Sequence, residues 1–212
     1  MVKGLELRKV QITKDATPLV GLDRVIAPGE VLSIMGPSGI GKSTLLAFVT
    51  GTLPDAFKAS GQVILDGHDI THAPPEKRMV GILFQDDLLF PHLSVGANLA
   101  FGLRAGGSKE TRRAKIAEAL ADVGLEGYED RDPETLSGGQ KARVALMRML
   151  LSSPCALLLD EAFSRLDATL RKQTRTLVFS RAKSLSLPVL MVTHDREDAE
   201  AAGGPIIDLG SA

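Results

Sequence analysis

Apolar residues along the chain fall into short runs separated by breaks rich in glycine, proline or acids, and these runs define the expected elements. Leu5, Leu7, Val10 and Ile12 alternate with polar neighbours and read as an edge strand. After the Pro28-Gly29 turn, Val31 to Met35 is apolar at all but one position and reads as a buried strand that empties into a glycine-rich loop. From Ser43 to Val49 the placing of Leu45, Leu46, Phe48 and Val49 suits a helix packed on a sheet and closed by Gly51. Gln62 to Leu65 and Met79 to Phe84 are two further short strands, the first ended by the turn pair Asp66-Gly67.

Beyond Gln85 the period changes, and residues 86 to 155 read as a mostly helical insertion. Ser108 caps a helix whose Ile116, Leu120 and Val123 share a face and which stops at Gly124. A second helix follows Gly138-Gly139, carries Val144, Met147, Leu150 and Leu151, and is ended by Ser152-Ser153-Pro154. Ala156 to Leu159 is then uninterruptedly apolar, as a parallel strand covered on both faces must be. A helix from about Ala168 to Ser186, a strand Val189 to Val192 and an Ile206-Ile207 run complete an α/β core that resumes after the insertion.

Composition narrows the function classes. With 212 residues, 44% hydrophobic and 24% charged, the chain is one ordinary globular domain, neither disordered nor fibrous. A formal net charge of -1 gives no basic footprint for nucleic acid, and none is expected as a partner. Cys155 is the single cysteine and sits in an apolar run, so an internal disulfide or a zinc site is excluded. Charges at Lys3, Glu6, Arg8 and Lys9 interrupt the amino-terminal stretch, which is unlike a signal peptide, and no apolar run is long enough to span a bilayer. A reducing compartment is expected.

Gly36-Pro37-Ser38-Gly39-Ile40-Gly41-Lys42-Ser43 follows the pattern G-x-x-x-x-G-K-[ST] and lies between a strand and a helix. Glycines let the backbone curl until successive N–H groups point at phosphate oxygens, and the positive end of the helix adds to the attraction. Lys42 then bridges β- and γ-phosphates, the Ser43 hydroxyl is a hard ligand for Mg2+, and Thr44 donates to the α-phosphate. Asp160 and Glu161 end the run Leu157-Leu158-Leu159, at the carboxyl edge where parallel sheets bind ligands. Asp160 is expected to hold Mg2+ through water. Glu161, alternating to the opposite face of the strand, is expected to act on the attacking water as general base. Leu136-Ser137-Gly138-Gly139-Gln140 opens a helix with two glycines and a hydroxyl, which is either an ordinary capped start or a second anion site. One chain already holds a complete phosphate loop, so a second such site is best explained if it serves the nucleotide of a second copy.

With these motifs in order, the chain resembles the ATP-binding subunit of ABC transporters over almost its whole length. The resemblance implies a P-loop NTPase (RecA-like) core with an amino-terminal antiparallel β subdomain and an inserted helical subdomain. The core is expected at 1–85 and 156–212, and the helical signature subdomain at 86–155. It also implies an ATPase that binds ATP and Mg2+ and energises transport as a head-to-tail homodimer on integral-membrane permease subunits. Such a protein is peripheral on the cytoplasmic face of the membrane, with an external substrate-binding protein as a further possible partner. Carried over residue by residue, Gln85 ligates Mg2+ and senses the γ-phosphate, and His194 contacts the γ-phosphate and holds the attacking water. Asp167, in Ser164-Arg165-Leu166-Asp167, belongs to the loop that couples the two sites. The stretch Leu88-Leu89-Phe90-Pro91-His92-Leu93 resembles the bacterial importer branch, YnjD-like subunits in particular, with Leu88, Leu89, Phe90 and Leu93 either supplying a groove for the permease or packing inside the helical insertion.

Three departures stand out. No aromatic residue precedes Phe48, so the ring that the family stacks on adenine is missing; the corresponding stretch is Ile12-Thr13-Lys14 and weaker discrimination between ATP and GTP is expected. Ala162 stands where the family has a proline, and this leaves the aim of Glu161 less fixed. After His194 the sequence carries no stretch resembling a carboxyl-terminal regulatory domain. The competing function is a soluble, non-transport ABC ATPase acting as a nucleotide-switched binding module; it predicts a coiled-coil insertion, tandem cassettes or a basic face.

Overall fold

The computed structural model describes residues 3–210. Strands β1 (Leu5–Lys14), β2 (Thr17–Ile26), β4 (Phe57–Leu65) and β5 (His68–Asp69) form one sheet in the order β2-β1-β4-β5, with β1 antiparallel to both neighbours. The second sheet orders β6 (Val80–Leu83), β7 (Ala156–Asp160), β8 (Val189–Val192), β3 (Val31–Met35) and β9 (Ile206–Asp208) as β6-β7-β8-β3-β9. Its β7-β8, β8-β3 and β3-β9 pairs are parallel.

β1 is therefore an interior strand, not the edge strand that its alternation suggested. Its pattern shows one buried face, but only pairing decides an edge. The neighbour β2 buries just Val20, Leu22 and Ile26 and carries a bulge, so it leaves little periodicity to read. β3 and β7 are what their apolar runs predict: every residue of Val31–Met35 is buried, as are Ala156 to Leu159.

Two compact units divide the chain. The first holds the described residues of Met1–Ile82, Cys155–Glu161 and Phe179–Ala212. Its core joins both sheets to helix α1 (Lys42–Thr50): Leu5, Leu7, Val10 and Ile12 share one cluster with Leu45, Leu46, Ile34, Leu158 and Val192. Arg78, only 5% exposed, closes α1 from below. Its guanidinium donates to the carbonyls of Phe48 (2.8 Å) and Val49 (2.9 Å), and to those of Thr71 and Ala73. Phe48 and Val49 belong to the last turn, where carbonyls run short of helical partners and a positive charge is favoured; the Phe48 carbonyl also accepts from the Gly51 amide at 3.2 Å. Burial pushes the Arg78 pKa down, and the bonds to four carbonyls keep the charge satisfied without a carboxylate. Arg78→Ala is expected to cost at least about 3 kcal/mol, since hydrogen bonds to a charged group contribute about 1.5–3 kcal/mol each and four are lost. For a chain of this size that lowers Tm by about 6–12 °C or more in a circular dichroism melt; an unchanged Tm would contradict the clamp.

The second unit comprises Leu83–Pro154 and Ala162–Val178. Helices α2 (Val95–Gly102), α3 (Lys109–Ala121) and α4 (Gly138–Leu150) bury Val95, Leu99, Ile116, Leu120, Val144 and Met147 together. Ser94 and Ser108 cap α2 and α3 by accepting from the Ala97 and Thr111 amides. Helix α5 (Ala168–Ser184) starts in this unit and ends in the first, and α6 (Arg196–Ala202) lies in the first. Among the described residues no helix is long and apolar enough to cross a membrane.

Candidate functional site

The register of the parallel sheet sets three carboxyl ends level. Val192 pairs with Ile34 on one side and Asp160 on the other, the Thr193 amide donates to the Ile34 carbonyl, and the Glu161 amide donates to the Val192 carbonyl. Because β8 lies between β3 and β7, His194 emerges between the phosphate loop and the two acids. This edge is where parallel sheets receive ligands.

The loop from Gly36 to Gly41 leads into α1 with Gly41 at the cap position, φ 106°, and no side chain capping the helix. Its first-turn amides at Lys42, Ser43 and Thr44 have no helical acceptor and are available to an anion. Gly41 is required there: besides its positive φ, an added Cβ would lie 2.7 Å from Val20 Cγ2. Pro37, Ser38 and Gly39 are exposed and Ile40 is half-buried. Lys42, only 5% exposed, folds back so that Nζ donates to the carbonyls of Gly36 (2.6 Å) and Pro37 (3.0 Å). The same Nζ lies 4.0 Å from Glu161 Oε1.

Ser43 Oγ donates to Asp160 Oδ1 at 3.2 Å. Burial raises the Asp160 pKa above the usual carboxylate range; the Ser43 hydrogen bond opposes this, the Glu161 charge adds to it, and Lys42 opposes it. Glu161 does not alternate to the far face as expected. The strand ends at Asp160, and Glu161 takes a left-handed φ of 48°, a conformation costing about 1–3 kcal/mol outside glycine. Its carboxylate thereby meets Lys42 and His194, whose Nδ1 lies 3.1 Å from Oε2. With Ala162 next in the chain, the restriction a proline imposes on the preceding residue is absent.

Two residues that the sequence reading passed over fix His194. Thr193 Oγ1 accepts from the Asp195 amide, and the Asp195 carboxylate caps α6 by accepting from the amides of Glu197 (2.8 Å) and Asp198 (3.4 Å). The cap was visible in Asp195 standing directly before Arg196-Glu197-Asp198.

Gln85, Ser137 to Gln140 and Asp167 belong to the second unit. Gln85 is exposed just past β6. Ser137 and Gln140 form a reciprocal capping box at the start of α4: the Gln140 side chain accepts from the Ser137 amide at 2.9 Å and the Ser137 hydroxyl accepts from the Gln140 amide at 3.4 Å. Gly138 is exposed and Gly139 buried, and a Cβ on Gly139 would lie 2.1 Å from Leu170 Cδ1. Asp167 begins α5 by accepting from the Leu170 amide. Arg165, in the same loop, pairs with Asp86, a contact that neither motif announces.

What this arrangement can do chemically follows from its parts. Uncapped amides and a lysine attract a polyphosphate; a hydroxyl beside a carboxylate offers hard oxygen donors; a carboxylate held against a histidine can take a proton from water. A family model described as ABC transporter matches residues 19–164. The uncharacterized ABC transporter ATP-binding protein YnjD of Escherichia coli (strain K12) is 46% identical over 200 residues, 94% of this chain and 90% of its own length. The Fe(3+) ions import ATP-binding protein FbpC of Mannheimia succiniciproducens is 44% identical over 88% of this chain, and the spermidine/putrescine import ATP-binding protein PotA of Pasteurella multocida 43% identical over 97%. The chain spans only about half the length of these two relatives, 52% and 55%. Among solved structures, cbiO1 from Clostridium perfringens, part of the ABC transporter complex cbiONQ, superposes with a TM-score of 0.79 at 30% identity, covering 92% of this chain and 80% of that one.

Proposed function

The chain belongs to the ABC transporter ATP-binding family, whose members are ATPases, and from this premise we propose that it energises an importer by closing as a head-to-tail homodimer around two ATP molecules. The observation that carries the reading is the convergence of Lys42, Ser43, Asp160, Glu161 and His194 at one sheet edge beside an uncapped helix start.

In this scheme the loop amides and Lys42 seat the β- and γ-phosphates, Thr44 the α-phosphate. Ser43 and Asp160 are the residues of the first unit that would hold Mg2+. The adjacent hydroxyl and carboxylate oxygens at 3.2 Å fit a small hard cation. Bound there, the ion neutralises charge on the transferred phosphoryl group. Glu161 takes the proton of the attacking water and His194 orients that water against the γ-phosphate. Ser137, Gly138, Gly139 and Gln140 of a second copy complete the γ-phosphate contacts, and Asp167 links the two sites. Only the closed dimer satisfies the γ-phosphate from both sides, so hydrolysis removes the contact that favours closure. Functionally, 1–85 with 156–212 is then the nucleotide-binding core and 86–155 the signature subdomain.

The permease is expected to meet the segment after Gln85. Leu88 is 55% exposed and Phe101 69% exposed, with Phe90 edge-on to Phe101 at 4.8 Å, while Leu89 packs into the helical core. Relatives named for import of Fe(3+) ions and of spermidine/putrescine favour the importer reading; an external substrate-binding protein and a position on the cytoplasmic face of the membrane belong to the proposal. Affinity purification of the tagged protein from gently solubilised native membranes, with and without ATP, tests this. Recovery of a polytopic membrane protein is the expected outcome. Recovery of ribosomes, DNA or soluble proteins alone would favour the nucleotide-switched binding module instead.

A further inference from the structure

We propose that Leu170 is a positioning residue for the segment Ser137 to Gln140: its side chain fills the space that a side chain on Gly139 would need, and so ties the start of α4 to the Asp167 loop of the same chain. The inference rests on the proposed function, in which Ser137 to Gln140 meet the nucleotide of a second copy.

Its starting point is the pair of glycines in the first turn of α4. Neither takes a positive φ, so the backbone demands glycine at neither place, and in a helix glycine is less favourable than alanine. Space decides instead, and it divides the pair. At Gly138, which is exposed, the nearest atom of another element to an added Cβ would be Leu170 Cδ2 at 3.9 Å, an ordinary contact. At Gly139, which is buried, the Cβ would lie 2.1 Å from Leu170 Cδ1 and 3.0 Å from both Cδ2 and Cγ. With the whole branched end of the leucine that near, turning its side chain exchanges one clash for another.

Leu170 is itself held. Asp167 Oδ1 accepts from its amide at 3.0 Å, and the Asp167 carbonyl accepts from the Arg171 amide at 2.8 Å. Further along the same face of α5, Thr174 is buried and Leu177 packs on the core that contains Val144 and Met147 of α4. On the side of α4, the capping box occupies the amides of Ser137 and Gln140, so the first turn has the amides of Gly138 and Gly139 left for an anion. Leu170 therefore fixes the direction of these donors, and it does so from the loop that carries Asp167. Through this contact the two segments that one copy offers to the other keep a fixed spacing. A displacement on the order of 1 Å at such donors costs about 10²-fold in rate.

The test is ATP turnover, ATP affinity by calorimetric titration, and Tm of the full chain for wild type, Gly139→Ala, Leu170→Ala, the double variant and Leu170→Met. Gly139→Ala is expected to lower kcat about 10- to 100-fold and to leave ATP affinity unchanged, because the phosphate loop lies in the first unit. Leu170→Ala should lower kcat about three- to tenfold, also at unchanged affinity. Leu170→Met keeps the volume and should cost less than about twofold. The double variant is expected to turn over as fast as Leu170→Ala alone, since the added methyl group then has room. A double variant as slow as Gly139→Ala means that the facing nucleotide, not Leu170, keeps residue 139 small; this overturns the tie and leaves the head-to-tail reading standing. Leu170→Ala at wild-type turnover likewise overturns the tie alone. Gly139→Ala at wild-type turnover overturns the tie and the head-to-tail reading together. Where Gly139→Ala fails to fold, the comparison of Leu170→Ala with Leu170→Met still decides, because a purely structural role would lower Tm without separating kcat from ATP affinity.

Discussion

Glu161→Gln is expected to lower ATP turnover by about 10²- to 10⁴-fold, the usual contribution of a positioned general base, while ATP still binds. The substitution keeps the shape and the amide oxygen in the place of one carboxylate oxygen, but removes the negative charge that can accept a proton from water. Phosphate seating does not involve Glu161: Lys42 is held by the Gly36 and Pro37 carbonyls at 2.6 and 3.0 Å, closer than the 4.0 Å to Glu161. The variant should therefore accumulate the state just before hydrolysis. If two copies close on ATP, size exclusion with ATP and Mg2+ should show a dimer that the wild type forms only transiently. Single-turnover hydrolysis gives the chemical step itself. A variant that stays monomeric and hydrolyses ATP at the wild-type rate would sink both the base assignment and the closure scheme.

How Glu161 reaches that position also marks the limit of what the sequence could tell. The run Leu157-Leu158-Leu159 identified β7, and its apolar character placed the strand inside a parallel sheet, because only a strand covered on both faces tolerates that pattern. Alternation then carried Glu161 to the wrong face. It failed at the first residue past the strand, where a left-handed φ of 48° is taken by a residue with no marker for it, unlike the glycine at φ 106° that ends the phosphate loop. Long-range pairing was equally hidden. β2 has charges at Asp23 and Arg24 and a bulge, so its residues lacked a period, and without it β1 passed for an edge. Helix α2 escaped as a separate element because Gly96 and Gly102 dilute an eight-residue helix, although the Ser94 cap preceded it. By contrast α4 and its start were fully legible. The Ser137-x-x-Gln140 spacing is a capping box whatever else it does, and the structure forms it. The α/β P-loop architecture was legible for the same reason: strand, loop and helix are local, and the glycine-lysine-serine spacing fixes the loop between them.

Lys42→Ala is expected to weaken ATP binding by about 10- to 150-fold for each charge-assisted hydrogen bond lost, at about 1.5–3 kcal/mol apiece, and to reduce hydrolysis to background. In the structure the ammonium is buried and bonded to the loop's own carbonyls, so the loop is threaded around the charge that the phosphates would share. The amides of the first turn of α1 remain in the variant, and residual affinity should come from them. Fold stability should change little. Gly36 is half-buried and Pro37 exposed, so water can reach the carbonyls that Lys42 leaves, in contrast to the enclosed carbonyls served by Arg78. The two variants therefore separate site from scaffold: Arg78→Ala lowers Tm through α1, whereas Lys42→Ala keeps Tm and loses nucleotide. Calorimetric titration with ATP, alongside a melt of the same sample, reads both quantities. Unchanged ATP affinity in Lys42→Ala would remove the phosphate loop as the nucleotide site. A Tm lowered as far as by Arg78→Ala would mean that the buried ammonium holds the fold together and is not held in reserve for phosphate.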